Sequence, residues 1–262
     1  MLRNRLLLSL FCLLVYVYLL APIFVVVGAS FNDGAFLTFP PHGLSLRWFA
    51  AFLDNAVFMD AIVRSLWLAL AATVISCVIG VAAALYHVRH AVRTREALRI
   101  AVLLPLLLPE VLTAMALLFF FHTIGLGARF GIGMLIGHVL ITLPFVFLNV
   151  VTALHGVDLN CELAARSLGA RPWTRFRRVT LPLIKPGVIN GCLFAFIISF
   201  DTFGISYLLK DVGSATLPLQ LFDYLRFNFT PEAAAVSTMS IGMAVLAVVA
   251  TEKLVGLKVE RY

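Results

Sequence analysis

Charge is scarce in this sequence. Only 13% of its 262 residues are Asp, Glu, Lys or Arg, against about a quarter in a soluble domain. That shortage excludes an ordinary water-facing surface. Acid is scarcer than base, 13 residues against 20, which leaves a net charge of +7. Cysteine is rare too. Cys12, Cys77, Cys161 and Cys192 form no C-x-x-C pair, so small buried apolar side chains or a reduced thiol are expected in preference to a disulfide or a thiolate metal site. The six histidines show no H-E-x-x-H spacing, and no nucleophile–base constellation is visible. A membrane-embedded enzyme has nothing to work with. The phosphate-cradling G-x-x-x-x-G-K-[S/T] run is missing as well, so any nucleotide chemistry must come from another polypeptide.

What is present is apolar length. Hydrophobic residues make up 62% of the chain, too many for one soluble core, and they gather in runs at about 6–28, 65–86, 98–121, 131–153, 187–209 and 233–251. A spanning helix needs about 20 such residues. Six spans are expected, in an all-α integral membrane protein. Pro105 and Pro109 interrupt the third; proline removes a backbone donor and clashes one turn back. In lipid such a break survives only against other helices or a wet cavity. Pro144 predicts a kink in the fourth span. The first run follows only Arg3 and Arg5 and exceeds the 7–15 apolar residues of a cleaved leader, which predicts an uncleaved first span.

Lys and Arg placement sets the orientation. With the N-terminus inside, the inner segments hold fifteen of the twenty, including Arg89, Arg93, Arg95 and Arg99 and the group from Arg166 to Lys185. The outer segments hold Arg47, Arg64, Arg129, Lys210 and Arg226. Both termini are therefore expected in the cytoplasm. Because the basic residues sort by membrane side, nucleic-acid binding is not the reading of the positive charge. No internal repeat is visible, and one domain over 1–262 is expected.

Outside the spans, 44–53 has helical spacing and aromatic weight. It reads either as a landing surface for an external partner or as a solvated connection with an interfacial helix. A short helix is expected after Pro218. Segment 154–186 stands out as a basic island. Ala164, Ala165 and Leu168 favour a compact helix, and Gly169 sits where the left-handed residue of a helix C-cap belongs. Pro172 suits the first turn of a second helix. Trp173, Phe176 and Val179 give that helix an apolar face expected to pack on the span ends, with Arg175, Arg177 and Arg178 turned away. Pro182 is expected to end the element, with Thr180 and Leu181 extended before it.

This run resembles the cytoplasmic Glu-Ala-Ala loop of binding-protein-dependent ABC importer permeases, through Ala164, Ala165, Leu168, Gly169, Ala170, Leu181 and Pro182. Arg64-Ser-Leu-Trp-Leu-Ala, Leu107-Leu-Pro-Glu-Val, His138-Val-Leu-Ile-Thr-Leu-Pro-Phe and Leu217-Pro-Leu resemble the second permease of spermidine/putrescine importers. The resemblance implies a type I importer permease in a bacterial inner membrane. It implies as partners a second, paralogous permease, a cytoplasmic ABC ATPase dimer and a periplasmic solute-binding protein. ATP and Mg would bind the ATPase, leaving this chain without a cofactor. Glu162, Leu163, Ala164, Ala165, Leu168, Gly169 and Ala170 would form the coupling element that fits an ATPase groove. The family usually places its acid six positions before the glycine. Here Leu163 holds that slot and Glu162 stands seven before, a rotation of about 100° on a helix.

Two acids fall inside predicted spans. Glu110 follows Pro109 and reads either as a cap at a broken helix start or as a functional carboxylate. Asp201, in the run Ser199–Gly204, reads as lining the pathway, with an interhelical hydrogen bond as the other reading. Gly204 is expected to let another helix approach. Acid without a central base favours a cationic solute such as a polyamine; related permeases carry other solutes, including aminoalkylphosphonates. An ion-coupled secondary carrier, with Glu110 and Asp201 as proton carriers, is the alternative class.

Overall fold

The computed structural model describes residues 2–125, 131–211 and 213–255. Arg129, Lys258 and Arg261 lie outside them. All regular elements among these residues are helices: α1 (Leu2–Ser30), α2 (Arg47–Asp54), α3 (Ala56–Arg89), α4 (Arg95–Leu107), α5 (Glu110–Thr123), α6 (Ile132–His155), α7 (Leu159–Ser167), α8 (Pro172–Arg175), a π-helical turn (Phe176–Thr180), α9 (Leu181–Asp201), α10 (Gly204–Leu209), α11 (Leu217–Leu225) and α12 (Pro231–Val255). Five stretches are long and apolar enough to cross a bilayer: Leu7–Ser30, Ala56–Arg89, Ile132–His155, Pro172–Asp201 and Pro231–Ala250. A sixth exists if α4 and α5, bent by 106°, count as one broken span. The expected interfacial helix is α2, and the helix after Pro218 is α11.

Four expectations need correction. The third span is not one helix. Leu108, restricted by the following proline, is extended at φ −89°, ψ 144°, and the chain turns there. The second span starts nine residues earlier than expected, at Ala56, because nothing in Ala56–Arg64 breaks a helix and Asn55 Oδ1 accepts from the Val57 N–H at 3.1 Å. Pro182 does not end the island's second helix: Thr180 and Leu181 are helical, at φ −66° and −60°. The Leu181 N–H donates to Phe176 O, five residues back. This wider turn gives room for the Pro182 ring, and the helix continues into the fifth span. That span in turn breaks at Thr202, extended at ψ 127°, before α10.

The described residues form two compact units, within 1–60 plus 220–245 and within 61–219 plus 246–262. In the larger unit α6 is central and runs unbroken through Pro144. Val146, Phe147, Val150 and Leu154 pack with Val81 and Ala84 of α3, Val102 of α4, and Ile184 and Ala195 of α9. Farther along α6, Met134 and Ile141 pack with Ala114 and Phe121 of α5 and Ile205 and Leu209 of α10. Gly187 and Gly191 let α9 lie on α6. A Cβ at Gly187 would stand 2.5 Å from Ala153 Cβ and 2.7 Å from Asn149 O; one at Gly191 would stand 2.9 Å from Val146 Cα. This is the small-x-x-x-small contact of membrane helices, where close backbone approach replaces hydrophobic drive.

In the smaller unit, Asn32 is fully buried and ties the outer loop: its Nδ2 donates to Phe36 O and Thr38 Oγ1, and its Oδ1 accepts from His42 N. Phe52, Phe58 and Tyr224 form an aromatic chain. The Tyr224 hydroxyl donates to Glu232 Oε2 at 2.8 Å.

Candidate functional site

The basic island folds as a helical hairpin whose tip is built by Gly169. With φ at +79°, this glycine closes α7: its N–H donates to Arg166 O, and the Ala170 N–H donates to Ala165 O, each at 3.0 Å. Those bonds are the paired closure of a Schellman cap. At the other end Asp158 Oδ1 accepts from the Asn160 N–H at 2.9 Å, an N-cap. Pro172 opens the second helix after an extended Arg171.

The coupling candidates divide by direction. Leu163 is 55% exposed and Leu168 88%. Ala164 and Gly169 are exposed, Ala165 and Ala170 half-buried. Leu159 is exposed beside Leu163, one turn back on the same face. Glu162 instead faces the protein. Its Oε1 accepts from Arg89 Nη2 at 3.1 Å and from Thr180 Oγ1 at 3.2 Å. Leu163, in the slot six before Gly169, points out, and the carboxylate one position earlier points in. The aromatic face is also revised. Phe176 packs against the inner core cluster, but Trp173, one turn nearer the tip, is 68% exposed and lies against Phe176, ring centroids 5.5 Å apart.

Glu110 begins α5, and its Oε1 accepts from Thr202 Oγ1 at 2.6 Å and from the Ile205 N–H at 2.9 Å. It thus caps α10, whose first N–H groups have no helical partner. Gly204 makes room for the start of α5, as expected of a close helix approach: a Cβ there would stand 3.1 Å from Glu110 Cδ. A buried chain continues from the break. Ser206 Oγ donates to Thr202 O, His138 bonds Ser206 Oγ through Nε2 at 3.1 Å, and it bonds Ser199 Oγ through Nδ1 at 2.8 Å. His138 is fully buried. Sequence reasoning missed it as a site residue; its only local signal is a lone polar ring inside an apolar run.

Asp201, last residue of α9, has an exposed side chain. It and Asn190 are eleven residues apart, about 20° from each other around the helix and about 16 Å along it. Phe194 and Ile197 lie on the same stripe. Asn190 also faces an open groove of about 320 Å³, lined with Leu148, Asn149, Thr152 and Ala153 of α6 and Gly187 of α9.

The chain belongs to the family of binding-protein-dependent transport system inner membrane components, whose pattern matches residues 76–251. It is 30% identical over 243 residues to the spermidine/putrescine transport system permease protein PotC of Haemophilus influenzae, across 92% of this chain and 93% of that one. It is 34% identical over 234 residues to the molybdenum transport system permease protein ModB of Mycobacterium bovis, across 81% and 87%. Its fold matches a chain of a bacterial ABC transporter involved in the import of the acidic polysaccharide alginate, with a TM-score of 0.76, 16% identity, and 98% and 97% coverage. The type I importer permease fold expected from the resemblance is the one observed, in a multi-pass inner-membrane protein.

Proposed function

We propose that this chain is one membrane-spanning half of an ATP-driven importer for a polyamine or similar cationic solute. All of 1–262 acts as one permease domain. A second permease completes the pathway, a periplasmic binding protein delivers the solute, and a cytoplasmic ATPase dimer that binds ATP and Mg drives the cycle. The observation that carries this reading is the Gly169-capped tip, which holds Leu159, Leu163 and Leu168 out in the solvent. An exposed apolar knob on a basic surface is costly unless a partner covers it.

The stripe of α9 supports the solute class. Asp201 and Asn190 offer oxygen acceptors to ammonium groups, and the Phe194 ring between them offers a face for cation–π contact. Likeness to both a polyamine and a molybdenum system means that the fold does not choose the cargo; a carboxylate on the stripe favours a cation. The ion-coupled alternative is disfavoured because Glu110, which would carry its proton, already holds two donors.

The test is Leu168→Arg. At 88% exposure this change cannot disturb the core. The variant, expressed with its partner subunits, is expected to insert normally but to lose the ATPase on purification and to lose ATP-dependent uptake of labelled spermidine or putrescine in proteoliposomes. Full ATPase recovery with full uptake would refute the coupling role of the tip.

A further inference from the structure

None of the nine residues of α7 is buried. A helix this short is marginal by itself in water, and none of its own side chains is buried among the spans. The side-chain hydrogen bonds that tie it to the span ends meet at one oxygen. Glu162 Oε1 takes Arg89 from the end of α3 and Thr180 from the end of the π-helical turn. The Arg89 and Glu162 side chains are each 15% exposed, and Thr180 is buried. Partial burial weakens solvent screening of the pair, and the ionised acceptor strengthens both hydrogen bonds. The three residues come from three segments, and two of these lead directly into spans.

We propose that Arg89, Glu162 and Thr180 form the joint through which motion of the tip reaches α3 and α9. They are positioning residues and touch neither the ATPase nor the solute. A push on Leu163 and Leu168 from below would swing a free α7 about its ends. With Glu162 pinned at mid-helix, the same push is carried to Arg89 and Thr180. The π-helical turn suits the receiving end: its hydrogen bonds are already one residue out of α register at Leu181, and such turns inside helices are frequent at functional sites.

This inference rests on the importer reading, and its test separates the two. Arg89→Glu, Glu162→Arg and the double exchange are expressed with the partner subunits. Three quantities are read: ATPase recovered with the complex, ATP hydrolysed, and labelled spermidine taken up per ATP. Each single variant is expected to retain the ATPase, because the outward face is untouched, while uptake per ATP falls at least tenfold. The double exchange restores the pair and is expected to recover most of that loss; a merely lost fold would not return. Thr180→Val, which removes only the hydroxyl, is expected to lower uptake per ATP two- to fivefold. Unchanged coupling in both single variants would overturn the joint, as would a double exchange no better than its parents. Loss of the ATPase from the single variants would overturn it differently, by placing Glu162 in the docking surface and leaving the importer reading standing. Failure of that reading shows elsewhere, in a Leu168→Arg complex that keeps its ATPase.

Discussion

Gly187→Ala tests the contact on which the α6–α9 pair, and the groove beside it, depend. The new Cβ would lie 2.5 Å from Ala153 Cβ and 2.7 Å from Asn149 O. Ordinary carbon contacts begin near 3.5 Å, so the helices must part by about 1 Å. Asn149 O is backbone inside α6 and cannot rotate away. A gap of that size forfeits about a quarter to a half of each dispersion contact along the seam, including the stacking of Phe145 on Phe194 at 6.5 Å. Overpacking of this kind costs about 1–3 kcal/mol; with a backbone obstacle the upper end, about 2–3 kcal/mol, is expected. That is roughly a 30- to 150-fold shift in the folded-to-unfolded ratio. Gly242→Ala is the control. Its Cβ meets nothing within 4 Å, and a helical Gly-to-Ala change gains up to about 1 kcal/mol. The assay is the temperature of half-loss of the folded, detergent-solubilised complex. Gly187→Ala should fall below wild type and Gly242→Ala should match or exceed it. A Gly187→Ala complex as heat-stable as wild type would refute the packing argument.

Further substitutions probe the site. Gly169→Ala has open space but must adopt φ +79°, which costs about 1–2 kcal/mol; it should weaken the cap and uptake, while Gly169→Asn, more tolerant of that conformation, should recover both, and equal behaviour of the two would refute the cap's role. Glu110→Gln keeps an acceptor for Thr202 and Ile205 and should transport nearly as wild type. Glu110→Ala strands two donors, at about 1–3 kcal/mol each, and should lower thermal stability and uptake; a Gln variant as defective as Ala would show that the charge itself matters. Asp201→Asn should raise the KM for spermidine about fivefold, the scale of one solvated ion pair, with assembly intact; an unchanged KM would remove Asp201 from the pathway.

Where the apolar runs lie and where the tip turns at Gly169 were legible in the chain's residues alone. Lipid solvates each helix separately, so 20 apolar residues declare a span without reference to a partner. A residue at positive φ declares itself equally locally, because only glycine adopts that backbone freely. Local rules failed where a distant group decided. Pro182 marks a stop only in an α-helix, and the widened turn before it, closed from Phe176 to Leu181, removed the clash. The break at Thr202 carries no local mark of its own; Glu110, 92 residues earlier, supplies the bonds that the broken helix lost. Glu162 could be placed on α7 but not aimed. Its direction was decided by Arg89, 73 residues away, and by Thr180, because a partly buried carboxylate turns toward whichever donors the tertiary structure brings to it.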